Sequence, residues 1–98
     1  MRNVKMDSER FIEESKDAIV NYYVSAGLLV DGEYKEYFKK CICLVWFSKT
    51  IQNFKGLFFV PEAQRYVEVT FNGDKNELYV DFYQKIDKIV YQMNFNEE

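Results

Sequence analysis

The chain contains no histidine. That absence removes the side chain most used as a general base, the usual activator of serine and cysteine nucleophiles, and the commonest ligand of catalytic metals. Proline occurs once and glycine four times in 98 residues, which excludes a collagen-like or low-complexity chain. The two cysteines, Cys41 and Cys43, stand two residues apart. In a strand they share a face, where a mutual disulfide is strained, and a CxC without histidine or further cysteine is a poor zinc site. Buried, inert thiols are expected. No G-x-S-x-G, P-loop or paired CxxC occurs, so the common nucleophile, nucleotide and redox motifs are missing. The start "MRNVKMDSER" has no apolar leader core, and no run approaches the length of a membrane span. The expectation is a soluble protein of the cytoplasm with no membrane partner.

A formal net charge of -3 makes nucleic acid an unlikely partner, because a phosphate reader needs an excess of Lys and Arg. Residues 31–55 are mildly basic, whereas residues 56–98 carry Arg65, Lys75, Lys85 and Lys88 among a larger number of acids. Such asymmetry suits self-association or an electrostatically matched partner. Hydrophobic residues at 48% and charged ones at 30% are globular values. The expectation is a single α+β domain over residues 1–98, burying roughly 65% of its unfolded surface, with disorder confined to residues 1–5 and 94–98. What the chain has in plenty is aromatic side chains: nine Phe, eight Tyr and one Trp. They either fill a large aromatic core or line a binding or dimer surface.

Asp7 can cap a helix whose Phe11, Ile12, Ser15, Ile19, Tyr22, Tyr23 and Ala26 fall on one face, with Gly27 following. Residues 28–40 have mixed periodicity and read as a loop, with room for a short strand or a turn of helix. "CICLVWFSK" is apolar on both parities, with Ile42, Leu44 and Trp46 on one side and Cys41, Cys43, Val45 and Phe47 on the other. It reads as a strand covered on both faces, with Trp46 as a core anchor. "KGLFFV" makes a second strand, ended by Pro61. "RYVEVTF" makes a third, with Val67, Val69 and Phe71 inward, and "ELYVD" a fourth, with Leu78 and Val80 inward. A four-residue loop of 72–75 would place Val69 opposite Leu78 and keep Glu68 away from other acids. Asp81 and Gln84 then stand in capping-box spacing before Phe82, Tyr83, Ile86, Ile89, Val90 and Met93, which predicts a second amphipathic helix. The expected fold is α+β: an N-terminal helix, a four-stranded antiparallel sheet of two hairpins, and a C-terminal helix packed with the first on one sheet face.

The acids near Asn72 only loosely resemble a calcium loop and lack its spacing and its bidentate glutamate. Neither a metal, a cofactor nor an enzymatic activity is expected. The candidate binding residues are instead the polar ones of two turns: Lys49, Thr50, Gln52, Asn53 and Lys55 at the first, and Asn72, Asp74, Lys75, Asn76, Glu77 and Tyr79 at the second.

Two runs, "VWFSKTIQNFKGLF" and "YVEVTFNGDKNELYVDFYQK", together with the helix "FIEESKDAIVNYY", resemble a family of small proteins encoded by phages and prophages of Gram-positive bacteria. That family is known only as a domain of unknown function. Its motifs run V-V-W-x-x-K-T-L-Q-N-x-K and Y-x-x-T-Y-N-G-D-K-N-E-x-Y-x-D-x-Y-K-K. Ile51 stands for the motif's Leu, Phe71 for its second Tyr and Gln84 for its first Lys. The resemblance covers residues 9–26 and 43–85 and implies a phage setting and action in the cytoplasm of the infected bacterium.

Three functions compete on these grounds. The first is a phage accessory protein that binds a host or phage protein stoichiometrically and modulates or inhibits a host function such as antiviral defence. The second is a small-molecule binder that sequesters a nucleotide-type signal, with Lys49, Lys55 and Lys75 on phosphates and Trp46 or a Tyr stacked on a base. The third is a structural phage protein. A homodimer is also expected, from the aromatic excess and from strand 2 or strand 4 lying at a sheet edge.

Overall fold

A computed structural model describes residues 5–30 and 32–94. The expected disorder of the termini falls, apart from Lys5 and Asn94, outside those residues. Helix α1 spans Ser8–Ser25. Its cap is Asp7, whose carboxylate accepts the Arg10 backbone N–H at 2.8 Å, satisfying a donor that the first turn leaves without a helical partner. Phe11, Ser15, Ile19, Val20 and Tyr23 form its buried stripe. Tyr22, expected in that stripe, is half-exposed but lays its ring 4.1 Å from that of Phe82.

Between Gly32 and the sheet, where a loop was the primary expectation, the chain forms a second helix, α2 (Glu33–Cys41). Gly32 offers it no side-chain cap, so the usual start signal is missing. It is held instead by tertiary contacts. Phe38 is buried with its ring 5.5 Å from Tyr23, and the Lys39 ammonium bridges Asp17, at 2.7 Å, and Glu13 on α1. The hydrogen bonds it donates to Asp17 and Glu13 raise the Lys39 ammonium well above the ordinary lysine range.

Four strands follow as a meander: β1 (Cys43–Thr50), β2 (Asn53–Val60), β3 (Arg65–Asn72) and β4 (Glu77–Tyr83). All neighbours are antiparallel, in the order β1-β2-β3-β4. Phe54, Phe58 and Val60 of β2 and Val67, Val69 and Phe71 of β3 are buried on one face, with Leu78, Val80 and Phe82 of β4 packed beside them. Helix α1 covers this face. Its Phe11 ring stacks on Phe54 at 5.4 Å and lies over Gly56, where a Cβ would come within 3.1 Å of it. The close approach of helix to sheet therefore depends on the missing side chain.

Several expectations are corrected. β1 is an edge strand, not a central one, and it is largely exposed. The register shifts between Leu44 and Trp46, so Val45 is the extra residue of a bulge and the strand's alternation breaks there. Leu44 pairs with buried Phe58 and Phe47 with Gly56, while Trp46 pairs with Leu57 on the opposite face. Trp46 is thus not a core anchor but 51% exposed. Cys41 ends α2 and Cys43 is exposed on β1; both are free thiols rather than buried ones. β2 lies inside the sheet, and of the two strands expected at an edge only β4 does.

The last hairpin has the expected four-residue loop, moved on by one residue to 73–76. Asn72 pairs with Glu77, Val69 with Val80 and Glu68 with Asp81. The inward and outward sets survive the shift, because moving the loop by one residue changes each partner by two. The avoidance of like charges does not. The loop is decided by Asn72, whose Oδ1 accepts the Asp74 N–H at 3.0 Å and the Lys75 N–H at 3.3 Å, and by Asn76, which takes φ +56°.

The C-terminal helix is also corrected. Asp81, Phe82 and Tyr83 continue β4, opposite Glu68, Val67 and Tyr66, and residues 84–94 form neither helix nor strand. The capping-box spacing is overridden because Phe82 gains a buried neighbour on the ladder and the Tyr22 ring. Ile86, Ile89, Val90 and Met93 keep their helical spacing but stay exposed, Ile86 to 96%. Among the described residues no helix is long and apolar enough to cross a membrane.

Candidate functional site

With both helices on one side, the other face of the sheet carries no helix among the described residues. Strand pairing orders its side chains into cross-strand rows. At the end away from the loop of 73–76, Cys43, Phe59, Tyr66 and Tyr83 stand side by side, with the Phe59 and Tyr66 rings 5.0 Å apart. The next row is Trp46, Leu57, Glu68 and Asp81, then Ser48, Lys55, Thr70 and Tyr79. Thr50 and Asn53 on one side, and Asn72 and Glu77 on the other, close the face at the turns. The face therefore grades from aromatic to polar along the strands.

Glu68 and Asp81 are directly opposed, an arrangement that like charges disfavour. Two neighbours offset it: the Lys55 ammonium stands 3.7 Å from Glu68, and the Tyr83 hydroxyl donates to Glu68 at 3.2 Å. Tyr79 donates to Glu77 at 2.6 Å. Both phenols are pushed above the ordinary tyrosine range, chiefly by these hydrogen bonds to carboxylates.

The structure brings the two polar turns together. The Gln52 amide donates to the Asp74 carboxylate, and the Gly73 N–H donates to Asn53 Oδ1 at 2.9 Å. Of the sequence candidates, Thr50, Asn53, Lys55, Glu77 and Tyr79 sit on or at the end of the helix-free face. Gln52, Asp74, Lys75 and Asn76 form the tip. Asn72 and Asp74 have structural tasks that already account for them. Lys49 is separated from Lys55 by strand alternation: it lies on the helix side, its ammonium 5.4 Å from the centre of the Phe54 ring. Lys49, Lys55 and Lys75 therefore do not converge on one phosphate-binding point.

Sequence reasoning missed Trp46, Leu57, Phe59, Tyr66 and Tyr83 as a surface. In "GLFFV" the run of apolar residues hides its own alternation, and only the outward parity of Tyr66 next door could have exposed it. It also missed Ile51, the first residue of the two-residue turn between β1 and β2, which holds φ +57° while 83% exposed. A β-branched residue is strained there. Ile51→Asn is expected to raise stability by about 1 kcal/mol, read as a higher urea midpoint with unchanged slope.

No curated protein and no solved structure matches the chain. One family profile does, the family of unknown function DUF6275, over residues 12–93. That span includes most of α1, all of α2, the whole sheet and nearly all of the segment after it. The chain belongs to the DUF6275 family of unknown function.

Proposed function

We propose that this protein is a phage-encoded accessory protein that acts in the cytoplasm of the infected bacterium. It binds a host or phage protein stoichiometrically and thereby modulates or inhibits a host function such as antiviral defence. The phage setting is supported by the two motif runs. The mode of action is supported by one observation above all, the helix-free sheet face. Trp46, Tyr66 and Tyr83 are each about half-exposed there beside the opposed carboxylates Glu68 and Asp81. Aromatic side chains carry much of the energy of protein interfaces, and Asp81, opposite the Glu68 that Lys55 and Tyr83 engage, offers its carboxylate to an incoming cation. The partner is expected to present apolar side chains around an Arg or Lys.

Tagged protein incubated with host lysate should enrich one partner over an unrelated acidic control. Trp46→Ala should then weaken the purified pair at least tenfold while changing folding stability little, since the side chain is half exposed. Asp81→Asn should raise stability by a few tenths of a kcal/mol yet weaken the same complex, a split that a purely structural role for Asp81 does not give. Enrichment that survives Trp46→Ala and Asp81→Asn unchanged would sink the assignment of this face. A second copy is the other occupant to test: a dimer mass by light scattering, lost in Trp46→Ala, would assign the face to self-association.

A further inference from the structure

On the opposite side of the sheet, beneath the linked turns, lies a cleft of about 400 Å³, within the range of small-molecule sites. Its accessible apolar side chains are Met6 and Ile51, with the buried Phe54 and Phe71 beneath, and its charged groups are Lys5 and Lys49. Among the described residues no carboxylate lines it. The turn acid Asp74 is engaged by the Gln52 amide. The wall is built in advance: Gln52 and Gly73 are in close contact across the two turns, and the strained Ile51 forms part of the rim. Backbone strain of this kind collects at binding sites. The amides of Gln52 and Asn76 add polar groups at the edge.

We propose that this cleft binds a small anion with a flat apolar body, such as an aromatic phosphate. The apolar body lies against Met6 and Ile51, above the buried Phe54 and Phe71, and the ammonium groups of Lys5 and Lys49 meet the anionic group. Lys49 is already drawn toward the Phe54 ring, so its charge sits near the apolar floor, as such a ligand requires. Two cations and, among the described residues, no acid give local positive potential on a chain of net charge -3, and a pocket needs only the local field. This site gives the small-molecule reading a place other than the one the three turn lysines suggested. It lies on the other side of the sheet from the aromatic face, so each proposal stands or fails alone.

The test is isothermal titration of the full chain with phenyl phosphate and with adenosine monophosphate, using inorganic phosphate as control. Saturable binding of at least one aromatic phosphate is expected, at least tenfold tighter than inorganic phosphate. Lys49→Met should weaken it at least tenfold, Lys5→Ala should weaken it as well, and Trp46→Ala should leave it unchanged. Circular dichroism of the Lys49→Met protein checks that it is folded. Equal affinity for inorganic phosphate, affinity unaffected by Lys49→Met in folded protein, or no saturable binding of either aromatic phosphate would overturn the proposal.

Discussion

Phe11→Ala is expected to cost about 4 kcal/mol of folding stability, a large part of the 5–15 kcal/mol that domains typically have. The ring is wholly buried. It stacks on Phe54 at 5.4 Å with planes 21° apart and lies 5.9 Å from Phe47. Its position over Gly56 is what brings α1 close to the sheet. The hole left by truncation cannot close easily, because its floor is β2, held by ladders on both sides. Urea unfolding followed by far-ultraviolet circular dichroism gives the number. A loss below about 1 kcal/mol would mean that α1 does not anchor through this ring. Gly56→Ala offers an internal check. Alone it should destabilise, since the added methyl meets the Phe11 and Phe58 rings at 3.1 Å. In the Phe11→Ala background that penalty should shrink, and a double-mutant cycle reports the coupling.

The second large effect is expected at Gly73. An alanine there would put its Cβ 2.3 Å from the Gln52 carbonyl oxygen, with Gln52 Cγ at 2.7 Å and Cβ at 2.8 Å. Swinging the Gln52 side chain away relieves only part of the clash, because the nearest atom belongs to the backbone. One turn must move, and with it go the Gly73 to Asn53 hydrogen bond and the bond between Gln52 and Asp74. Gly73→Ala should cost about 2–3 kcal/mol and lower the melting temperature by about 10 °C or more. Lys75→Ala, in the same loop with an exposed side chain, should change stability by under about 0.5 kcal/mol. Amide chemical-shift changes in Gly73→Ala should reach residues 50–54 of the other hairpin. Changes confined to residues 71–76 would show that the two turns are independent.

These two sites mark what could be read in the chain and what could not. The stripe from Phe11 to Tyr23 and the alternation of Val67, Val69 and Phe71 follow from local periodicity. Both elements behave accordingly. The loop length after β3 was also readable from pairing logic, although its placement was set by backbone hydrogen bonds accepted by Asn72 that a pairing rule based on charge ignores. Helix α2 was obscure because its stability resides in Phe38 and Lys39 meeting α1, not in its own caps. The opposite error occurred after Asp81. There the local pattern favours a helix, but the partner for Phe82 lies on β3 and the ring of Tyr22, neither of which is near in sequence. For the candidate site, the polar turn residues were visible, whereas their linkage depends on the absent side chain of Gly73. The aromatic face was invisible until the side of the sheet taken by the helices was known.

The bulge at Val45 has a consequence for self-assembly. The stretch from Ile42 to Phe47 is uncharged, free of proline and rich in β-forming residues, the composition of segments that stack into fibrils, and it lies at an open sheet edge. An intruding strand would find a regular ladder only from Trp46 to Thr50, because the extra residue throws the register out of step before it reaches Leu44 and Cys43. Native edges are guarded by such irregularities. A chain shortened by one residue at Val45 would be smoother there, and by the same token would need watching for slow precipitation during concentration.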